Sequence, residues 1–434
     1  SIASRLAKIN PRVTFVRVFE DDKAVEHWDN IQTKQPPNPS GHDMLDDETT
    51  ITDIDKTEVN REFVRKFATR VLRASPIAVL LSGIVLVLSQ SACVSTPSVP
   101  YSQELAPLVI GDPDNGDLHD GRARFREIFC AVNADHGKDL PDYRPCNETL
   151  VEVGVEPPPS GLPVPLSHSK ADYLVLLVPG LGYPCIKAWL DHDFSAPKHV
   201  AEHGYQVELL EVGGLASTTA NAQQIRNFIR ALPADEADRQ LILIGHSKGA
   251  PDILEALVLY PKVTEKVVAV VSYAGAVGGS PLANDARQSY LKLMTKLPRS
   301  ECDEEDGGAL QSLKPAVRRT WLERNELPQN IRYYSVVAFP EPGRISRGLK
   351  PSWRKLGELA DARNDSQLVF YDQVIPGSSI VAFANADHWA MAVPVARQHR
   401  FASLTFASHN DFPREVMLEA LLRFIEADLS ELDP

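Results

Sequence analysis

Six short, almost wholly apolar segments recur from residue 173 onward in this 434-residue chain and leave few folds open. Tyr173–Val178 is followed by Val207–Leu210, Leu241–Ile244, Val267–Tyr273, Tyr333–Phe339 and Ile380–Ala384. A strand with one wet face alternates apolar and polar residues, whereas a strand covered on both faces stays apolar throughout. Between these runs, Ala222–Leu232 and Asp252–Leu259 read as helices. Phe412 to Ile425 closes the pattern with an amphipathic helix carrying Val416, Ala420 and Phe424. Alternating strands and helices predict an α/β domain at 171–434, with a mostly parallel sheet covered by helices. An insertion at about 280–330 interrupts the alternation and holds two helix-like segments, Ser289–Leu297 and Pro315–Asn325.

The first 170 residues read differently. Residues 1–73 form an extension expected to be partly disordered: Gln35 to Gly41 is a turn-and-linker signal, and the acidic run Asp43 to Asp55 has few large apolar residues. Arg61, Arg65, Lys66, Arg70 and Arg73 then precede the most apolar run of the chain, Ile77 to Leu88, and no charge occurs between Arg73 and Glu104. Residues 74–94 therefore read as a signal or membrane-anchor segment. The apolar heart, about a dozen residues, suits a signal peptide better than a bilayer span of ~20. Ser91-Ala92-Cys93 resembles the end of a bacterial lipoprotein lipobox, with Gln90 where that motif carries Leu, and implies lipidation of Cys93. A signal anchor spanning 74–94, with its basic flank held inside, is the alternative. Either reading exports the rest of the chain and tethers it to a membrane, in a bacterial envelope or periplasm. Residues 95–170 read as a tether and helical pre-domain, with Phe125, Ile128, Phe129 and Val132 on one helical face.

Composition narrows the partners. Lys and Arg number 45 against 58 Asp and Glu, a net charge of −13, which repels the phosphates that duplex-binding proteins neutralise. Nucleic acid is excluded as a partner. No CxxC pair, HExxH or EF-hand loop occurs among the residues, so no recognised metal motif is visible.

The chemistry concentrates in Leu241-Ile242-Leu243-Ile244-Gly245-His246-Ser247-Lys248-Gly249-Ala250. A Gly-x-Ser-x-Gly sequence between an apolar strand and a helix-compatible run is the setting of a nucleophile elbow. The sharp turn needs small neighbours, and it presents the serine hydroxyl above the sheet at a helix N-terminus. With this motif the chain resembles the α/β-hydrolase superfamily, in particular its esterases and lipases, over about Tyr173 to Ile425. The resemblance implies an α/β-hydrolase fold and a Ser, acid, His order along the chain.

Three further pieces follow from that resemblance. Val178-Pro179-Gly180-Leu181-Gly182 is similar to the family's oxyanion loop, with Pro179 where His is common, so the backbone N–H groups of Leu181 and Lys248 are expected to hold the oxyanion. His388 follows the last apolar strand and is expected to be the base. The acid is Asp365, in Asn364-Asp365-Ser366-Gln367-Leu368, which resembles a lipase Asn-Asp-Gly loop with Ser366 replacing Gly; Asp372, in another turn of family type, is the alternative. Asp387 is read as a turn residue. His199 and His203, with Asp191, His192 and Asp193 upstream, supply no recognised metal spacing and are read as a solvated helix face. The acidic run Glu301 to Asp306 is read as a solvated loop.

The expected activity is hydrolysis of a small-molecule or lipid carboxylic ester through an acyl-enzyme, with no cofactor. The 280–330 insertion would cap the site. An acyltransferase with the same three residues, or an inactive envelope binding protein on the same fold, are the alternatives. With Cys93 lipidated, four cysteines remain. In an oxidising compartment they suggest two disulfides, read as Cys130–Cys146 and Cys185–Cys302; four buried free thiols are the alternative.

Overall fold

In the computed structural model a seven-stranded, all-parallel sheet runs in the order β1-β7-β6-β5-β4-β2-β3. The structure describes residues 99–104, 119–189, 195–233, 236, 239–296, 299–398 and 400–430. The N-terminal extension, the apolar run at 74–94, Cys93, and Asp191 to Asp193 lie outside them. No helix among the described residues is long and apolar enough to cross a membrane.

The strands are β1 (His119–Asp120), β2 (Tyr173–Val178), β3 (Gln206–Leu209), β4 (Gln240–His246), β5 (Val267–Tyr273), β6 (Arg332–Ala338) and β7 (Ser379–Ala384). The helices used below are α1 (Arg122–Asp135), α2 (Ser195–Glu202), α3 (Thr218–Arg230), α4 (Gly249–Leu259), α5 (Gln288–Met294), α6 (Pro315–Arg324), α7 (Lys350–Leu359), α8 (His388–Ala392), α9 (Arg400–Thr405) and α10 (Arg414–Ser430).

The double-sided burial inferred from the apolar runs is visible residue by residue. In β4, Ile242 and Ile244 enter the core formed with α1 and α10, while Leu241 and Leu243 enter the core formed with α3 and α4. β2 divides in the same way, Val175 to the first core and Leu174, Leu176 and Val178 to the second. Successive side chains of a strand point to opposite faces, so one run fills two cores. Residues 119–170, expected as a segment ahead of the domain, join it. β1 pairs with β7, and Phe125, Ile128, Phe129 and Val132 of α1 pack in the same core as Val416, Ala420 and Phe424 of α10.

Strand order reverses at β4, which lies between β5 and β2. In open α/β sheets the crevice beyond the strand carboxyl ends at such a reversal is where ligands bind. Between β5 and β6 the insertion contributes α5 and α6 and two shorter helices, Leu282–Asp285 and Ala309–Ser312. Leu291 of α5 packs with Cys185, Leu215, Ala309 and Leu310, against the half-buried Leu181 and Met294. Cys185 is bonded to Cys302, and Cys130 to Cys146.

Candidate active site

Ser247 follows β4 directly and has φ +52°, a left-handed conformation that is uncommon for a residue with a side chain. The neighbouring glycines make the turn possible. A Cβ on Gly245 would lie 2.5 Å from the Ala250 backbone, and one on Gly249 would overlap the Val178 carbonyl. Strand, turn and α4 are thus packed too closely for any side chain at either position.

The loop after β2 comes against the serine. A Cβ on Gly180 would stand 2.7 Å from the Ser247 Cβ. Gly182 is left-handed at φ +73°, and its N–H donates to the Gly214 carbonyl at 2.9 Å. Among the described residues the N–H groups of Leu181 and Lys248 donate no hydrogen bond. Both stay available at the mouth of the turn, and Lys248 is the N-cap position of α4.

His388 opens α8 just past β7, and its two ring nitrogens engage two different segments. Nε2 lies 2.9 Å from the Ser247 Oγ, and Nδ1 lies 2.7 Å from the Asp365 Oδ2. The His388 backbone N–H also donates to the Asp365 carbonyl at 3.0 Å. Asp365 is fully buried, and its Oδ1 accepts from the N–H groups of Gln367 and Leu368 at 2.8 and 2.7 Å. These bonds leave Oδ2 turned to the imidazole.

Asp372, the alternative acid, is turned elsewhere. Its carbonyl accepts from the Gly278 N–H at 2.8 Å, its side chain packs on Gly278, and burial pushes its carboxyl up to about 7 against the opposing Arg319. Asp387 caps α8: Oδ1 accepts from the Ala390 N–H at 3.0 Å and Oδ2 from the Ser346 N–H at 2.8 Å. In the acidic run, exposed as read, Asp306 also accepts from the Ser217 N–H at 2.7 Å.

Two neighbours of the serine carry roles that were not read from sequence. The Lys248 ammonium points away from the turn and donates to both Asp252 oxygens at 2.8 and 2.9 Å, in a pocket where both side chains are buried. Asn221 donates to the same carboxylate at 2.7 Å. The signal was present as an i,i+4 pair of opposite charge. The His246 ring lies 4.9 Å from that of His388, tilted by 37°. Burial holds its imidazole down at about 3, so it stays neutral.

The solvated-face reading of His199 and His203 is corrected by the structure. His199 is buried, 8% exposed, and its Nε2 lies 2.6 Å from Glu419 Oε2; the partner comes from 220 positions away and could not be seen locally.

No protein-family model matches the chain. A metagenomic carboxyl esterase, MGS0156, is similar in structure with a TM-score of 0.68 and 37% identity, over 75% of this chain and 97% of that one. A triacylglycerol lipase of Vibrio cholerae serotype O1 is 28% identical over 121 residues, 28% of this chain. The match spans 38% of that lipase's length.

Proposed function

The chain belongs to the carboxyl esterases of the α/β-hydrolase family, and from that premise we propose that Ser247, His388 and Asp365 cleave a carboxylic ester through an acyl-enzyme. The observation that carries the reading is the continuous hydrogen-bonded line from the Ser247 Oγ through the His388 ring to the buried Asp365 carboxylate, at 2.9 and 2.7 Å. A serine hydroxyl is a weak nucleophile unless an adjacent base takes its proton. His388 Nε2 accepts that proton as Oγ attacks the ester carbonyl. Nδ1–H donates to Asp365, which fixes the tautomer and stabilises the imidazolium. The Leu181 and Lys248 N–H groups, aided by the positive end of α4, hold the oxyanion. His388 then returns the proton to the leaving alcohol, and water activated by the same imidazole releases the acid.

The helices between β5 and β6 serve as the cap. Their support is the packing of Leu291 and Met294 against the Leu181 loop and the Cys185–Cys302 bond beside it. An apolar acyl chain or lipid ester suits the surroundings: Phe401 and Leu404 on α9 are 76% and 72% exposed, and Phe406 meets Trp389, the residue after His388, edge-on at 6.3 Å. Export with a membrane tether, by lipidation of Cys93 or by a signal anchor at 74–94, completes the reading. Two disulfides support it, since such bonds persist in oxidising compartments.

A p-nitrophenyl ester panel from acetate to palmitate tests the assignment. Ser247→Ala should remain folded, lose essentially all turnover and escape labelling by a fluorophosphonate. Turnover by the alanine variant at the parental rate would remove Ser247 from the mechanism.

A further inference from the structure

Remote from the serine in sequence, and sharing no residue with its site, four metal-competent side chains converge where three helices meet. His136 follows the end of α1, His199 lies in α2 with His203 just beyond it, and Glu419 lies in α10. Their ligand atoms all fall within 4.8 Å of one another. We propose that His136, His199, His203 and Glu419 bind one divalent zinc-class ion that staples α1, α2 and α10 together.

The distances favour this over a simple hydrogen-bond cluster. The Nε2 atoms of His199, His136 and His203 lie 2.6, 2.7 and 3.8 Å from one and the same oxygen, Glu419 Oε2. Two ring N–H groups satisfy that oxygen, which leaves His203 beyond hydrogen-bond reach, stacked on His136 with centroids 5.0 Å apart. A tetrahedral ion with bonds of about 2.0–2.1 Å sets its ligand atoms roughly 3.3 Å apart. The observed spacings bracket that value, so small side-chain shifts admit an ion that uses all three imidazoles.

Surrounding groups hold two of the four ligands, as outer partners of a metal site do. His136 Nδ1 lies 3.1 Å from the Asp135 carboxylate. Glu419 Oε1 accepts from Arg423 Nε at 2.8 Å, and Arg423 is itself anchored on the carbonyls of Pro165, Leu166 and Ser167. Three nitrogens and one carboxylate suit zinc, cobalt or nickel rather than magnesium or calcium. Four protein ligands fill a tetrahedral shell and leave no position for substrate, so the ion is structural. His199 and His203, four apart, present their rings on one face by helical spacing.

The test uses the full chain, prepared without a histidine tag, stripped with EDTA and reloaded. About one zinc per chain is expected by elemental mass spectrometry. Saturation with zinc should raise Tm by roughly 5 °C, and Co²⁺ should give the intense visible bands of a tetrahedral site. His203→Ala removes the most exposed ligand and should lower zinc affinity at least tenfold and abolish the Co²⁺ bands, while the exposed His119→Ala keeps both. Failure of Co²⁺ to give tetrahedral bands in the parent overturns the proposal, whether or not His203→Ala folds. So does zinc binding that His203→Ala leaves unchanged, because the ion then sits on other histidines.

Discussion

Ser366 stands where the acid loop of related lipases carries glycine, and the structure gives that departure a measurable cost. Its φ is +85°, so the side chain is held in the left-handed region, which costs roughly 1–2 kcal/mol for a residue with a Cβ. Its hydroxyl is buried without a hydrogen-bond partner among the described residues, a loss of ~1 kcal/mol. Ser366→Gly removes both penalties. Against that stand about 0.7 kcal/mol for the freer unfolded chain and ~1 kcal/mol for the small void left behind. The net expectation is stabilisation by about 1 kcal/mol, or a rise in Tm of ~3 °C for a domain of this size. Activity should hold, because the bonds that orient Asp365 come from the backbone of Gln367 and Leu368. Ser366→Thr, β-branched in the same conformation, should fall below the parent. Urea and thermal unfolding followed by circular dichroism read all three proteins. A Ser366→Gly protein less stable than the parent would show that the loop is not strained, and the reasoning would fail.

Asp365→Asn should lower kcat by ~10⁴-fold, since an amide cannot hold the imidazole in the productive tautomer. Asp372→Asn should leave kcat near parental, and the reverse ranking moves the acid role to Asp372. The second variant also carries a pH signature. The folded Asp372 carboxyl sits at about 7 against an ordinary 3.8. Its stabilising contribution is therefore complete below the ordinary value and disappears as pH rises through 7. Unfolding from pH 4 to 8 should show Asp372→Asn losing less stability over that window than the parent; parallel curves would contradict the assignment. Lys248→Met leaves Asp252 buried without its cation and should cost about 3–5 kcal/mol, most of it recovered in Lys248→Met/Asp252→Leu. If the double variant is as unstable as the sum of the singles, the pair is not coupled as drawn. Loop closure over 117 residues predicts that losing Cys185–Cys302 costs ~5 kcal/mol, against ~3 for the 16-residue Cys130–Cys146 loop. Unfolding of Cys302→Ser and Cys146→Ser proteins tests that order.

The parts of the fold legible in sequence are those whose physics is local. A strand buried on both faces is apolar almost throughout, so β2, β4, β5, β6 and β7 announced themselves; β2 and β5 end where their apolar runs do, and the ends of β4, β6 and β7 differ from theirs by a residue or two. β1 did not. It is two residues, His119 and Asp120, recruited by pairing with Ser379 and Ile380 at the sheet edge, and nothing in its side chains marks a strand. The segment that follows looked separate for the same reason. The apolar face of α1 was visible, but the face of α10 that covers it lies nearly three hundred positions further on.

The same distinction sorts the candidate site. Gly245, Ser247 and Gly249 sit within one turn, where the backbone's need for small residues and the placement of the hydroxyl coincide, so sequence and geometry carry the same message. Choosing between Asp365 and Asp372 was harder, because both are aspartates in turns ahead of the last strand. What separates them is backbone bonding: the N–H groups of Gln367 and Leu368 turn the Asp365 carboxylate toward His388, while the Gly278 N–H ties the Asp372 backbone beside the insertion. The Lys248 side chain shows the opposite case. Its i,i+4 spacing to Asp252 was readable, but an exposed helical pair of that kind contributes only about 0.3–0.5 kcal/mol and carries little meaning. Burial alone makes it matter, and burial there depends on the tight approach of Gly249 to Val178 and of Asn221 to Asp252. The lysine beside Ser247 is thus held by the packing that makes the tight turn possible, which is why its removal should be read in stability before it is read in turnover.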